Sequence, residues 1–130
     1  VAEPCIFCQI VAGTSPARMF VQWPDAIVIH PIDPVTHEHL LVIPRQHVAD
    51  FAEDPDVSAA TMRRAAQVAR MLGFDDVNLI TSKGRAATQS VFHLHIHIVP
   101  RAVNDGLALP WYSGRTRKTT PSHTPTEGVR

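Results

Sequence analysis

Apolar and polar positions alternate most regularly near the end of the chain, where Phe92, Leu94, Ile96 and Ile98 interleave with His93, His95 and His97. A period of two belongs to a half-buried strand, so the stretch Gln89–Pro100 predicts one with its apolar set on a core and three histidines on the other face. Neighbouring imidazoles on that face would stand about 6.5–7 Å apart. Pro100 has no N–H to give to a ladder and should end the strand. Upstream, Arg18–Trp23 and Ala26–His30 read as a hairpin turned at Pro24-Asp25, and His39–Ile43 as a third strand stopped by Pro44. Pro31–Glu38, with two prolines and an Asp, is a loop between them. Asp54 suits the cap and Pro55 the first turn of a helix running to Leu72 and closed by Gly73. Its stripe of Ala65, Val68, Ala69 and Leu72 should face a core, and Arg63, Arg64, Gln67 and Arg70 should face outward. Val77–Thr81 reads as a fourth strand, Ser82–Thr88 as a loop, and Cys5–Ala12 as a short helix stopped by Gly13. Strand, strand, strand, helix, strand, strand is the order of an α+β fold with an antiparallel sheet.

Composition narrows the picture. At 130 residues, 45% apolar and 18% charged, the chain fits one domain with one core. Its formal net charge of zero gives no electrostatic case for a nucleic-acid or membrane-surface partner. No apolar run approaches a membrane span, and Val1–Pro4 lacks the features of a signal peptide, so a soluble cytoplasmic protein is expected. Two cysteines make no disulfide framework, which agrees with that compartment. Residues 113–130 are rich in Ser, Thr, Pro and basic side chains and are expected to form a flexible tail, leaving 1–112 as the domain.

Two features carry candidate chemistry. Imidazole changes charge near neutral pH, so three in a row suggest a nucleophile, a proton donor or a metal ligand rather than an ordinary strand face. Cys5-Ile6-Phe7-Cys8 is compatible with a redox dithiol, half of a zinc site, or two unconnected thiols. A closed zinc site would need two histidines to complete it, because the chain has no other cysteine. His30, His37 and His123 have no evident role and are expected to face solvent.

With its Gln89-Ser90 lead-in, the His93-x-His95-x-His97 stretch resembles the signature of the histidine triad (HIT) superfamily of nucleotide hydrolases and transferases. The segments Cys5–Gly13 and Ile32–Thr36 through His39–His47 are similar to the opening, central loop and central strand of bacterial members, so the likeness spans roughly Pro4 to Arg101. The third histidine distinguishes this chain from the galactose-1-phosphate uridylyltransferase branch, which has Gln there. The resemblance implies a HIT-like fold: a five-stranded antiparallel sheet, one main helix and a short N-terminal helix, commonly in a homodimer. It implies that His95 attacks the phosphorus of a purine nucleoside phosphoramidate or dinucleoside polyphosphate, giving a nucleotidyl-histidine. His97 and His39 would contact the phosphate and assist proton transfer, and Gln89 and Ser90 would donate to phosphate oxygens. Ile32, Asp33 and Ser82 fall at the substrate-binding positions. In the zinc-bearing bacterial branch the ligands correspond to Cys5, Cys8, His47 and His93, which implies one structural Zn2+ per chain.

Three residues depart from the family pattern. Pro31 replaces the usual ribose-binding acid, leaving Asp33 as the nearest carboxylate; Ser82 stands for a common Asn, and Thr88 for a common Gly. All three touch nucleotide binding and none touches the nucleophile. Two further functions compete with the enzyme reading: a nucleotide-binding or interaction protein with little turnover, and a metalloenzyme using His93, His95 and His97 as a catalytic zinc site.

Overall fold

The computed structural model describes residues 4–115. Most of the expected tail and His123 therefore lie outside the described residues. The elements, in order, are α1 (Ile6–Ala12), β1 (Arg18–Gln22), β2 (Ala26–His30), β3 (Leu40–Pro44), α2 (Pro55–Leu72), β4 (Val77–Ile80), a 3-10 turn (Arg85–Ala87) and β5 (Ile96–Pro100). The strands form one five-stranded sheet in the order β1-β2-β3-β5-β4, antiparallel at every pairing. The expected α+β architecture is the one observed.

Local chemistry explains the helix ends. The Asp54 carboxylate accepts from the N–H groups of Asp56 and Val57 at 3.0 and 3.4 Å, and Pro55 opens the first turn of α2. Gly73 closes it at φ 69, where glycine carries no Cβ penalty. The buried stripe of α2, Thr61, Ala65 and Val68, faces one side of the sheet, where Ala65 and Val68 pack with Val28, Leu40, Val42, Ile96 and Ile98.

The other side of the sheet is not open. Phe7 of α1 is buried there with Ile27, Ile29, Leu41 and Ile43, and Cys5, Ile10 and Val11 pack around them. Ala26–Ile29 and all of β3 are accordingly buried throughout, which suits near-continuous apolar runs rather than alternation.

Three expectations need correction. The alternating stretch is a strand only from Ile96, because the residues before it pair elsewhere: Leu94 N–H donates to the Val48 carbonyl at 2.8 Å. As a result His93 is fully buried, while Phe92 is 38% exposed, its ring lying 5.1 Å from the Arg85 guanidinium. Arg64 is not free in solvent, since it pairs with Asp25 at 2.9 Å and lies 4.6 Å over the Trp23 ring. His30 is half-buried, edge-on to Phe20 at 5.9 Å. His37 is exposed as expected.

Beyond β5 the chain turns back on itself. Arg101 grips Asp105 with two hydrogen bonds of 2.7 and 2.9 Å and reaches Asn78 on β4 and the Leu107 carbonyl. Residues 113–115 of the expected tail are described, and Gly114 is buried with its carbonyl accepting from Gly106 N–H at 3.0 Å. No helix among the described residues is long and apolar enough to cross a membrane.

Candidate functional site

Two histidine clusters meet at the start of β5. The first joins α1, the loop after β3 and the chain before β5. Cys5 caps α1, its sulfur accepting from Cys8 N–H at 3.4 Å, so one turn of helix sets both thiols side by side. Cys5 Sγ lies 3.4 Å from His93 Nδ1, Cys8 Sγ lies 3.2 Å from His47 Nδ1 and 3.5 Å from His93 Nδ1, and the two Nδ1 atoms are 3.0 Å apart. All four donor atoms fall within 4.8 Å of one another. A tetrahedral ion with metal–ligand distances of about 2.0–2.3 Å requires donor separations of roughly 3.3–3.8 Å, so the close pairs stand near that spacing and the widest would close by about 1 Å around an ion. The ring hydrogen settles the orientation of His93. Its Nε2 sits 2.8 Å from the Pro44 carbonyl, which can only accept, so the hydrogen is on Nε2 and Nδ1 turns a bare lone pair to the thiols. A ligating histidine is held in this way by a carbonyl behind it.

The second cluster is His95, His97 and His39. His95 Nδ1 lies 2.8 Å from the His93 carbonyl, so Nδ1 carries the hydrogen and Nε2 keeps a lone pair. The His95 carbonyl in turn accepts from the Thr81 hydroxyl at 2.8 Å, and the ring meets Phe7 edge-on at 5.0 Å. His39 is buried, and its Nδ1 accepts from Val35 N–H at 3.1 Å. Its hydrogen is therefore on Nε2, which donates to His97 Nδ1 at 3.0 Å. That bond leaves the His97 hydrogen on Nε2. The rings of His95 and His97 are 5.1 Å apart, centroid to centroid. Two adjacent imidazoles thus present opposite faces of their chemistry, one a lone pair and the other an N–H.

Burial keeps this group neutral. It pushes His39 and His95 below the ordinary histidine range, although the bond to the His93 carbonyl partly restores His95. His97 falls furthest, to about 4, from burial first and then from the neighbouring His95 and His39. A neutral His95 is the nucleophilic form at physiological pH.

The remaining expected site residues separate. Ser90 is exposed at the lead-in to the triad, Ile32 is 97% exposed and Asp33 is exposed on the loop before β3, and Ser82 is half-buried after β4. Gln89 is committed elsewhere. Its amide donates to the Ala49 and Val91 carbonyls at 2.7 and 3.1 Å and accepts from Gly84 N–H at 2.9 Å, so both hydrogens are engaged by backbone rather than free for a phosphate. His39 likewise has both ring nitrogens occupied, one by Val35 N–H and the other by His97 Nδ1. A three-histidine catalytic metal site is excluded by geometry, since the His93 ring joins the cysteines and not His95 and His97. Phe7 and Thr81 were not foreseen; in sequence one reads as a helix apolar and the other as a strand end.

Comparison with known proteins follows the same lines. The family model described as HIT domain matches residues 12–104. A HIT-like protein of Methanocaldococcus jannaschii is 36% identical over 106 residues, covering 78% of this chain and 82% of that one. The adenosine 5'-monophosphoramidase of Schizosaccharomyces pombe is 34% identical over 111 residues, covering 84% of each. A zinc-bound histidine triad family protein from Mycobacterium smegmatis superposes with a TM-score of 0.69 at 39% identity, over 80% of this chain and 79% of that one.

Proposed function

This chain belongs to the HIT family, and on that premise we propose that it is a nucleotide hydrolase or transferase working through a nucleotidyl-His95 intermediate. Its substrates are purine nucleoside phosphoramidates or dinucleoside polyphosphates. One observation carries the reading: the His93 carbonyl holds the His95 hydrogen on Nδ1, which leaves Nε2 as an available lone pair. Attack by Nε2 on phosphorus forms the N–P bond as the bond to the leaving amine or phosphate breaks, a water molecule gives the departing atom its proton, and the charge created on the ring is met by the same carbonyl. His97, with its hydrogen on Nε2, holds the negative charge that gathers on the phosphoryl oxygens and the departing atom. His39, fixed by Val35 N–H, keeps His97 in that tautomer. Water then displaces His95 and releases the nucleoside monophosphate.

The cluster Cys5, Cys8, His47 and His93 holds one structural zinc in this reading. All four positions are filled by protein, so no position is open for substrate, and bound zinc supplies folding energy. A reducing cytoplasmic setting keeps both thiols available as ligands. A homodimer in which two sheets join edge to edge would use an outer strand, β1 or β4.

Incubating the protein and a His95→Ala variant with adenosine phosphoramidate and diadenosine polyphosphate tests the assignment. AMP release by the wild type, lost at least about a thousandfold in the variant, is expected. Nucleotide binding without turnover of either substrate would favour the binding-protein reading. Pro31, Ser82 and Thr88 support that second reading, because they alter the surroundings of nucleotide and leave the triad intact.

A further inference from the structure

We propose that the loop from Ser82 to Thr88 recognises the departing half of the substrate, with Lys83 on its phosphates and Arg85 with Phe92 under its base, so that the preferred substrate is a dinucleoside polyphosphate. This rests on the enzyme reading above for its kinetic part and on the loop alone for binding. Both ends of the loop touch the triad stretch. At one end the Thr81 hydroxyl donates to the His95 carbonyl at 2.8 Å, and Lys83 follows two residues later, a span of at most about 7 Å. At the other end Phe92 precedes His95 by three residues, at most about 11 Å along the chain, and exposed Ser90 stands just before it.

Between those ends the loop is held. Gly84 is bonded to Gln89 twice: its N–H donates to the Gln89 side-chain oxygen at 2.9 Å, and its carbonyl accepts from Gln89 N–H at 3.1 Å. Its backbone, at φ 95 and ψ 158, lies in a region open to glycine and to hardly any other residue. The two cations flank this fixed point, and both are exposed. Asp50 Oδ2 aims the Lys83 ammonium from 3.4 Å yet leaves that side chain 56% exposed, and the Arg85 guanidinium lies 5.1 Å from the centre of the Phe92 ring. Among the described residues Asp50 is the one carboxylate paired with either cation, so the loop keeps a net positive charge. An exposed ring capped by a guanidinium is a flat cationic surface on which a nucleobase stacks, and an ammonium suits phosphate oxygens.

The ammonia that leaves adenosine phosphoramidate would use none of this, whereas a departing nucleoside polyphosphate brings both charge and a base. The step is the displacement already described: His95 Nε2 bonds to the phosphorus nearest one adenosine, the P–O bond to the rest of the chain breaks, and the nucleoside polyphosphate leaves with that electron pair. Because the loop is fixed before substrate arrives, little ordering cost is set against these contacts.

Lys83→Gln, Arg85→Gln and Phe92→Ala alter exposed side chains, and Lys83→Arg keeps the charge. Circular dichroism verifies that each variant folds, and kcat/KM is measured with diadenosine tetraphosphate and with adenosine phosphoramidate. On the tetraphosphate, the two glutamine variants should each lose about tenfold, Phe92→Ala about fivefold and Lys83→Arg less than about threefold, while all four stay within about twofold on the phosphoramidate. Unchanged turnover of the tetraphosphate, or an equal loss on both substrates, overturns the proposal. Calorimetric titration with a methylene-bridged, non-hydrolysable diadenosine tetraphosphate and with AMP reads binding by itself. The wild type should bind the bridged compound at least about tenfold more tightly than AMP, and both glutamine variants should bring that ratio close to one. A ratio unchanged in the variants overturns the site whether or not either substrate is turned over. A collapsed ratio in a protein that turns over neither substrate upholds the site and removes the enzyme reading instead.

Discussion

Thr88 adopts the left-handed conformation, φ 72, at the end of the 3-10 turn just before the triad lead-in. A β-branched residue is strained there by roughly 1–2 kcal/mol, and glycine is not. Thr88→Gly should therefore stabilise the fold by about 1 kcal/mol, less than the full strain because glycine gains freedom in the unfolded chain. Thermal unfolding followed by circular dichroism reads this, and an unchanged or lowered midpoint would show the strain to be absorbed elsewhere. At the same scale, hydrogen bonds assign roles that residue type cannot. His39, His95 and His97 were legible as a group in the sequence, but which nitrogen carries each hydrogen depends on Val35 N–H and the His93 carbonyl. The backbone partners of Gln89 are hidden for the same reason, since nothing in its own neighbourhood of sequence shows Ala49 and Gly84 closing on its amide. Low proton affinities of His95 and His97 should keep activity flat from pH 8 to below 6.5. The acid limb of kcat/KM should then fall well under the ordinary histidine value, and a limb at 6.5 or above would contradict the burial argument.

Elements with strong end signals came through the sequence intact. The hairpin, the third strand and α2 all lie within a residue or two of their expected bounds, because Pro, Asp and Gly act locally on the backbone. For α2 that local chemistry has a measurable value. Asp54→Ala removes an acceptor from the Asp56 and Val57 N–H groups and should cost about 1 kcal/mol in urea unfolding. A loss below ~0.3 kcal/mol would mean that packing of Thr61, Ala65 and Val68 alone sets the start of the helix. The triad strand was the element read least well. Its period of two is real, yet His93 and Leu94 bond to Pro44 and Val48 instead of to a neighbouring strand. Such long-range partners override periodicity and leave no trace in it. The same holds for the second layer over the sheet: α1 is short, and only the buried runs of β2 and β3 hint that both faces are covered.

At the scale of the whole molecule, the neutral histidine cluster makes stability depend on pH. His97 binds its proton at about 4 in the folded protein and near 6.5 when unfolded. Between those values the unfolded chain holds more protons, so stability rises with pH across that window. The contribution is fully present above pH 6.5, falls as pH drops toward 4, and is spent below it. For His97 alone the change is about 3 kcal/mol, with His39 and His95 adding in the same direction. A second stage follows at lower pH. The Arg101 guanidinium, with help from the N–H groups of Leu107 and Ala102, holds the Asp105 carboxyl well below the carboxylate range. Its stabilising bonds are therefore intact above about pH 4 and lost only as pH falls further. Because Arg101 also binds Asn78 and the Leu107 carbonyl, protonating Asp105 loosens the turn after β5 from β4. Urea unfolding at intervals from pH 7.5 to 3 should show a decline beginning near 6.5 and a further drop below 4. In Asp105→Asn the lower step should shrink while the upper one stays, Asp50, whose carboxyl Ala52 N–H and Lys83 also hold low, keeping part of it; His97→Asn should blunt the upper step and spare the lower. If Asp105→Asn instead removed the upper step, the two ends of β5 would be linked in acid unfolding, and the histidines would not be its first trigger.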